Sequence, residues 1–192
     1  MFHWFWLGVF DVAVPAFATQ EGVAHRVAWI FAAFGVANVI GGLLGGLVSK
    51  KLAPLSALMR AYTIWVLASI PFVFTYPDWS MAVVGAGIGF IGGAVQVFYF
   101  EVLEAVRPQG SQTASLGWIW SVEGSFMAVG AAVGGWVSEE YSPRFGLALT
   151  PIMLIIGLII FTIGKGRLAA ANDVPTAEED LRAMKDMSDD VK

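Results

Sequence analysis

Six stretches of mostly apolar residues dominate the sequence, at roughly 2–18, 25–48, 56–76, 80–103, 114–138 and 145–164. A helix rises about 1.5 Å per residue, so about 20 apolar residues cross a hydrocarbon core roughly 30 Å thick. In lipid the backbone must satisfy its own N–H and C=O groups, which leaves helices and closed barrels as spanning structures. The expected fold is all-α, a six-transmembrane-helix bundle over residues 1–168. Composition agrees. Of 192 residues 57% are hydrophobic and 14% charged, against roughly 25% charged in a soluble domain. That balance argues against disorder, a coiled coil, a nucleic-acid-binding domain and an ordinary soluble enzyme.

The first stretch is the weakest. It starts at Met1 and contains Asp11 and Pro15. No Lys or Arg precedes Arg26, so the basic n-region of a signal peptide is missing. The stretch reads as a short or truncated spanning helix.

Charge separates a tail from the body. Residues 169–192 carry seven acids and three bases, which is the whole formal net charge of −4. Residues 1–168 carry eight of each and are neutral. In the acidic tail Thr176 and Glu179 form a capping-box pattern, and Ala177, Leu181 and Met184 share a face. A short surface helix and a solvated tail fit equally well.

Bases flanking spans orient a multi-pass chain, because cytoplasmic loops carry the excess of Lys and Arg. With the N-terminus inside, Lys50, Lys51, Arg60, Arg107, Lys165 and Arg167 fall on the cytoplasmic side and only Arg26 and Arg144 outside. Both termini are expected in the cytoplasm, in the cell membrane. Trp4, Trp6, Trp118 and Trp120 lie towards inner span ends, and Trp29, Trp79 and Trp136 towards outer ends, as aromatic belts require. Trp65 sits mid-span and fits neither belt.

Glycines recur at four-residue spacing: Gly41/Gly45 and Gly42/Gly46, then Gly85/Gly89/Gly93, then Gly130/Gly134. Such spacing lets helix backbones approach closely where lipid gives no hydrophobic drive for association. The intramembrane polar residues are Asp11, Asn38, Gln96, Tyr99, Glu101, Glu104 and Glu123. A mid-bilayer charge costs at least about 2.5–3.5 kcal/mol on insertion scales, so it faces a bundle interior or an aqueous cavity. The third and sixth spans have no ionisable residue or amide in their interiors. Asp11, Asn38, Gln96, Tyr99, Glu101 and Glu123 are therefore candidates for a substrate or ion pathway. Asn38 and Gln96 suit interhelical hydrogen bonding as well, and Glu101 and Glu104 suit pairing with Arg107. His25 follows Glu21 by four residues and reads as its surface partner.

Several chemistries lack their residues. No cysteine is present, so there is no disulfide, thiol nucleophile or thiolate metal site. There is no P-loop and no H-E-x-x-H, and His3 and His25 cannot make a three-ligand zinc site alone. Gly124-Ser125-Phe126 lacks the glycine and nearby histidine of an intramembrane serine protease. No catalytic residue, metal or cofactor is expected.

Four segments carry a resemblance: "VPAFATQEG" at 14–22, "FAAFGVANVIGGLLGGLVSKKL" at 31–52, "EAVRPQGSQTASLGW" at 104–118 and "GAAVGGWVSEEYSPRFGLAL" at 130–149. In this order they resemble helices seven to twelve of a major facilitator superfamily transporter, its C-terminal six-helix half. The resemblance covers nearly all of residues 1–168. The family's loop has Asp-Arg then Gly-Arg, whereas this chain has Ser49-Lys50 then Leu52-Ala53, so no gating salt bridge carries over. In that fold the first, second, fourth and fifth helices of a half line the cavity, and these are the spans with polar residues here.

The resemblance implies a secondary transporter, or its C-terminal half, working by alternating access on a small solute bound between two halves. Partners would be the lipid bilayer, the solute and an N-terminal six-helix half, as a missing segment or separate chain, or else a second copy of this chain. Aromatic-rich walls with few charges suit proton-coupled efflux of an amphipathic compound. The alternatives are a non-transporting membrane scaffold and an inactive fragment of a split transporter gene.

Overall fold

Prolines and one left-handed glycine punctuate the chain. In the computed structural model, which describes residues 2–49, 53–106 and 112–172, α1 runs Phe2–Gln20, α2 Val27–Ser49, α3 Pro54–Ser69, α4 Trp79–Val106, α5 Gln112–Glu140 and α6 Pro143–Asn172. Pro54 and Pro143 stand at the first positions of α3 and α6, where a missing N–H is harmless. Gly22, at φ +71°, makes the turn after α1 and leads into a 3-10 turn at Ala24–Arg26. Pro71 cannot donate to the Leu67 carbonyl, which takes the Ile70 N–H instead. The chain tightens there into a 3-10 helix, Ile70–Phe74, so the third span is α-helical only to Ser69. Asp78 then accepts the Ser80 backbone N–H at 2.7 Å and caps α4.

The described residues are all-helical, and five helices are long and apolar enough to cross a membrane. These features fit a multi-pass membrane protein. The remaining helix, α1, is also largely apolar over its 19 residues and is wrapped by neighbours: Val9, Phe10, Ala13 and Val14 are fully buried. Lys50, Lys51, Arg107 and residues 173–192, with the Thr176–Glu179 pattern, lie outside the described residues.

Two helix pairs form the frame, α2 with α4 and α1 with α5, while α6 packs on α1 and α3 joins α4 to α6. Both pairs meet through glycine. A Cβ at Gly41, Gly89 or Gly93 would overlap the backbone of Phe90, Phe34 or Asn38. Gly45 sits on Ala94, and Gly42 faces Gly93 at ordinary contact distance. In the other pair Gly130 meets Phe5 and Gly134 meets Val9. Gly46 and Gly85 face nothing within 4 Å and do not form helix contacts. Gly8, which has no small residue four positions away, lies against the Met127 backbone.

Aromatic rings fill the middle of the bundle. Trp6 stands edge-on to Trp65 at 5.2 Å and to Phe10 at 5.6 Å, and Phe10 meets Phe34 and Phe72 at 5.1 and 5.4 Å. Each such pair contributes about 0.5–1.5 kcal/mol beyond its buried area. Trp6 is 3% exposed and belongs to this core, not to an interfacial belt. The mid-span Trp65 is explained in the same way: it is 3% exposed, and its Nε1–H donates to the Ile88 carbonyl at 2.9 Å. Trp79, Trp118, Trp120 and Trp136 are exposed near helix ends, as belt residues are.

Candidate functional site

Glu123 is 6% exposed, well inside α5 and about 16 Å of helix from its start. The sequence offers it no partner nearby on its own helix. The structure supplies one from α4: the Tyr99 hydroxyl donates to Glu123 Oε1 at 2.9 Å. The helices α4 and α5 share almost no backbone packing, so this bond spans a seam between the α2/α4 and α1/α5 pairs. A carboxylate removed from water needs such a donor, because an unpaired buried charge costs several kcal/mol. The same oxygen can also take a proton and remain hydrogen-bonded, so the pair can hold Glu123 in either state.

The other candidates are spread over the bundle. Gln96 and Glu101 are half-buried on α4, and neither makes a side-chain hydrogen bond or ion pair among the described residues. Gln96 lies three residues before Tyr99, on the same side of α4. Glu104 is exposed. Asn38 donates Nδ2–H to the Gly89 carbonyl at 3.1 Å, beside the glycine contacts of α2 and α4. Its amide therefore locks that helix pair together.

Asp11 is half-buried on α1 and makes no hydrogen bond or ion pair among the described residues. Pro15, four residues on, has no N–H for the Asp11 carbonyl. Position 11 thus presents a carboxylate and a freed carbonyl together. It does not join Glu123. Phe5 meets Gly130 and Val9 meets Gly134, so α1 and α5 run side by side in the same direction. This register sets Asp11 roughly 20 Å further along the bundle than Glu123. The two carboxylates do not form one site, and among the described residues no three His, Cys, Asp or Glu side chains gather to hold a metal.

At the end carrying Glu21 a second polar group closes the loops. The Tyr76 hydroxyl donates to Glu21 Oε2 at 2.6 Å, so the carboxylate expected to face His25 is engaged elsewhere. Arg144 donates to the Val73 carbonyl at 3.1 Å and lies 5.0 Å over the Phe17 ring. These contacts join α1, the α3–α4 connection and α6. They involve pairings far apart in sequence, which residue spacing does not reveal.

Arg60 is exposed at the other end. On α5 the side away from the bundle carries a strip of small residues, Gly117, Ser121, Gly124, Ser125, Ala128 and Ala132, all exposed and flanked by the exposed Trp118, Val129 and Trp136. The Ser121 and Ser125 hydroxyls donate to the Gly117 and Ser121 carbonyls, each at 2.8 Å. This strip makes α5, with α2, the least buried of the apolar spans.

No family model matches the chain, and no solved structure matches it.

Proposed function

We propose that the chain is one six-helix half of a secondary transporter of the major facilitator type. It would move an amphipathic solute by alternating access against a second six-helix bundle, with Glu123 carrying the coupling proton. The observation that carries this reading is the buried Glu123 carboxylate, held by Tyr99 in the seam between two glycine-packed helix pairs. An intramembrane ionisable residue with one hydrogen-bond partner marks a substrate or proton path more often than a scaffold.

Three further features support it. The bundle interior is filled by aromatic rings, so a solute path has to run along the outside of these helices, against a partner. The exposed small-residue strip of α5 allows close approach by another helix. The pairing of α1 with α5 and of α2 with α4 is that of the fold the sequence resembles; this last point is an analogy of architecture.

Proteoliposomes that carry the chain with its second six-helix bundle, whether a partner chain or a second copy, loaded with a pH-sensitive dye and challenged with a lipophilic cation, test the reading. Proton movement by the wild type that is lost in Glu123→Gln and kept in Glu104→Gln supports it. No proton movement by the wild type, or undiminished movement in Glu123→Gln, overturns it.

A further inference from the structure

At the Glu21 end, the beginnings of α2 and α4 leave a hollow of about 460 Å³ lined by His25, Arg26, Trp29, Asp78 and Trp79. The Trp29 and Trp79 rings lie 5.0 Å apart and tilted by 43°. Arg26 makes no hydrogen bond or ion pair among the described residues. Ser80, whose backbone N–H donates to Asp78 Oδ1 at 2.7 Å, holds the Asp78 carboxyl below the usual carboxylate range. The hollow therefore offers a cation, an anion and two indole faces; Arg26 and Asp78 make no direct ion pair among the described residues, and the guanidinium charge adds to the lowering of the Asp78 carboxyl from across the hollow.

A ligand that satisfies all three must carry an anion and a cation a few ångströms apart. A phosphate takes a guanidinium through directed hydrogen bonds. An ammonium is favoured beside a carboxylate and over an indole face. Below the hollow, Val83 and Phe90 continue down α4 as exposed apolar residues, 67% and 40% exposed, along which an acyl chain can lie. Indole pairs also sit by preference at headgroup depth.

We propose that this hollow binds the phosphate ester of an amino alcohol, the headgroup of a zwitterionic phospholipid, with Arg26 on the phosphate and Asp78 and the tryptophans on the ammonium. The site lies roughly 30 Å of helix away from Tyr99, and it does not depend on transport.

Native mass spectrometry of the full chain, released from nanodiscs of equal phosphatidylethanolamine and phosphatidylglycerol, tests it. The wild type is expected to retain one phosphatidylethanolamine several-fold over phosphatidylglycerol. Arg26→Gln and Asp78→Asn should each bring the two lipids to parity with helical circular dichroism unchanged, while Arg26→Lys keeps the preference. Free O-phosphoethanolamine in the release buffer separates the sources: displacement of the lipid supports the same chemistry from a soluble ligand, and retention supports the lipid. Equal retention of both lipids by the wild type, or a preference unchanged in both charge variants, overturns the proposal.

Discussion

Tyr99 and Glu123 meet at 2.9 Å across a seam where their two helices otherwise hardly touch. The bond ties the α2/α4 pair to the α1/α5 pair without glycine contact, beside the ring contacts of Phe10 with Phe31 and Phe34 that join α1 to α2. Its two ends are not equivalent. Tyr99→Phe leaves a buried carboxylate without this donor and is expected to destabilise the protein by about 1–3 kcal/mol. Glu123→Gln keeps an acceptor oxygen for the phenol and removes the charge, so it should cost less stability while abolishing proton movement. Unfolding in mixed micelles, run on both variants and the double variant, checks the order. A larger loss in Glu123→Gln than in Tyr99→Phe would contradict the geometry.

The glycines divide into two sets. A Cβ at Gly41, Gly93 or Gly130 runs into the main chain of Phe90, Asn38 or Phe5, and backbone cannot step aside as a side chain can. Gly41→Ala, Gly93→Ala and Gly130→Ala should each lower stability by about 1–3 kcal/mol through overpacking. Gly46→Ala meets open space and removes freedom from the unfolded chain, so it should be neutral or raise stability by about 0.4–1 kcal/mol. Thermal denaturation in detergent distinguishes them.

Much of this frame is legible in the sequence, and the reason is local. Span length and the four-residue glycine rhythm follow from helix geometry alone, so α2, α4 and α5 and most of their glycine contacts can be read directly. Depth within the bundle is different. Trp6 and Trp118 look alike at inner span ends, yet one is core and the other exposed, because only packing by α2 and α3 around α1 decides it. Glu123 finds Tyr99 and Glu21 finds Tyr76 through tertiary approach, which no periodicity encodes. Gly46 and Gly85 continue the rhythm where no neighbouring helix comes close.

Trp65 combines packing with a hydrogen bond to the Ile88 carbonyl. Trp65→Phe preserves a ring against Trp6 but removes the indole N–H that gives the Ile88 carbonyl its second hydrogen bond. A loss of about 0.5–1.5 kcal/mol is expected from the missing hydrogen bond, because the carbonyl keeps its backbone bond within α4. Trp118→Phe, on an exposed ring, should change stability by under about 0.5 kcal/mol. Similar losses in both variants would place Trp65 outside the core.

The loop end should respond to pH in two windows. The hydrogen bond to Glu21 holds the Tyr76 phenol above its ordinary value, with smaller contributions from burial and nearby charge. A raised value means that this contact stabilises fully below the ordinary phenol value of about 10 and is lost as pH rises through the raised one. Asp78 is lowered, so its cap on α4 is complete above the ordinary carboxylate value and is lost as pH falls through the lowered one. Phenolate absorbance should show the Tyr76 titration moving down in Glu21→Gln, and Asp78→Asn should remove the acid-side loss. Unchanged titrations in both variants would break the link.

The exposed strip of α5 gives a direct probe of what lies beside the bundle, because the chain has no cysteine of its own. Ser125 and Ile159 sit at similar depth and are both exposed, Ile159 at 54%, but they face different surroundings. Ser125 belongs to a strip of glycine, serine and alanine, whereas Ile159 belongs to an isoleucine-rich face on α6 suited to lipid. If a second bundle and a water-filled path cover α5, a membrane-impermeant thiol reagent should label Ser125→Cys and spare Ile159→Cys. A thiol reacts as the thiolate, which does not form in hydrocarbon, so labelling reports water at that depth. Equal protection of both positions would mean that lipid covers α5 as it covers α6, and the proposed path would have no place to run.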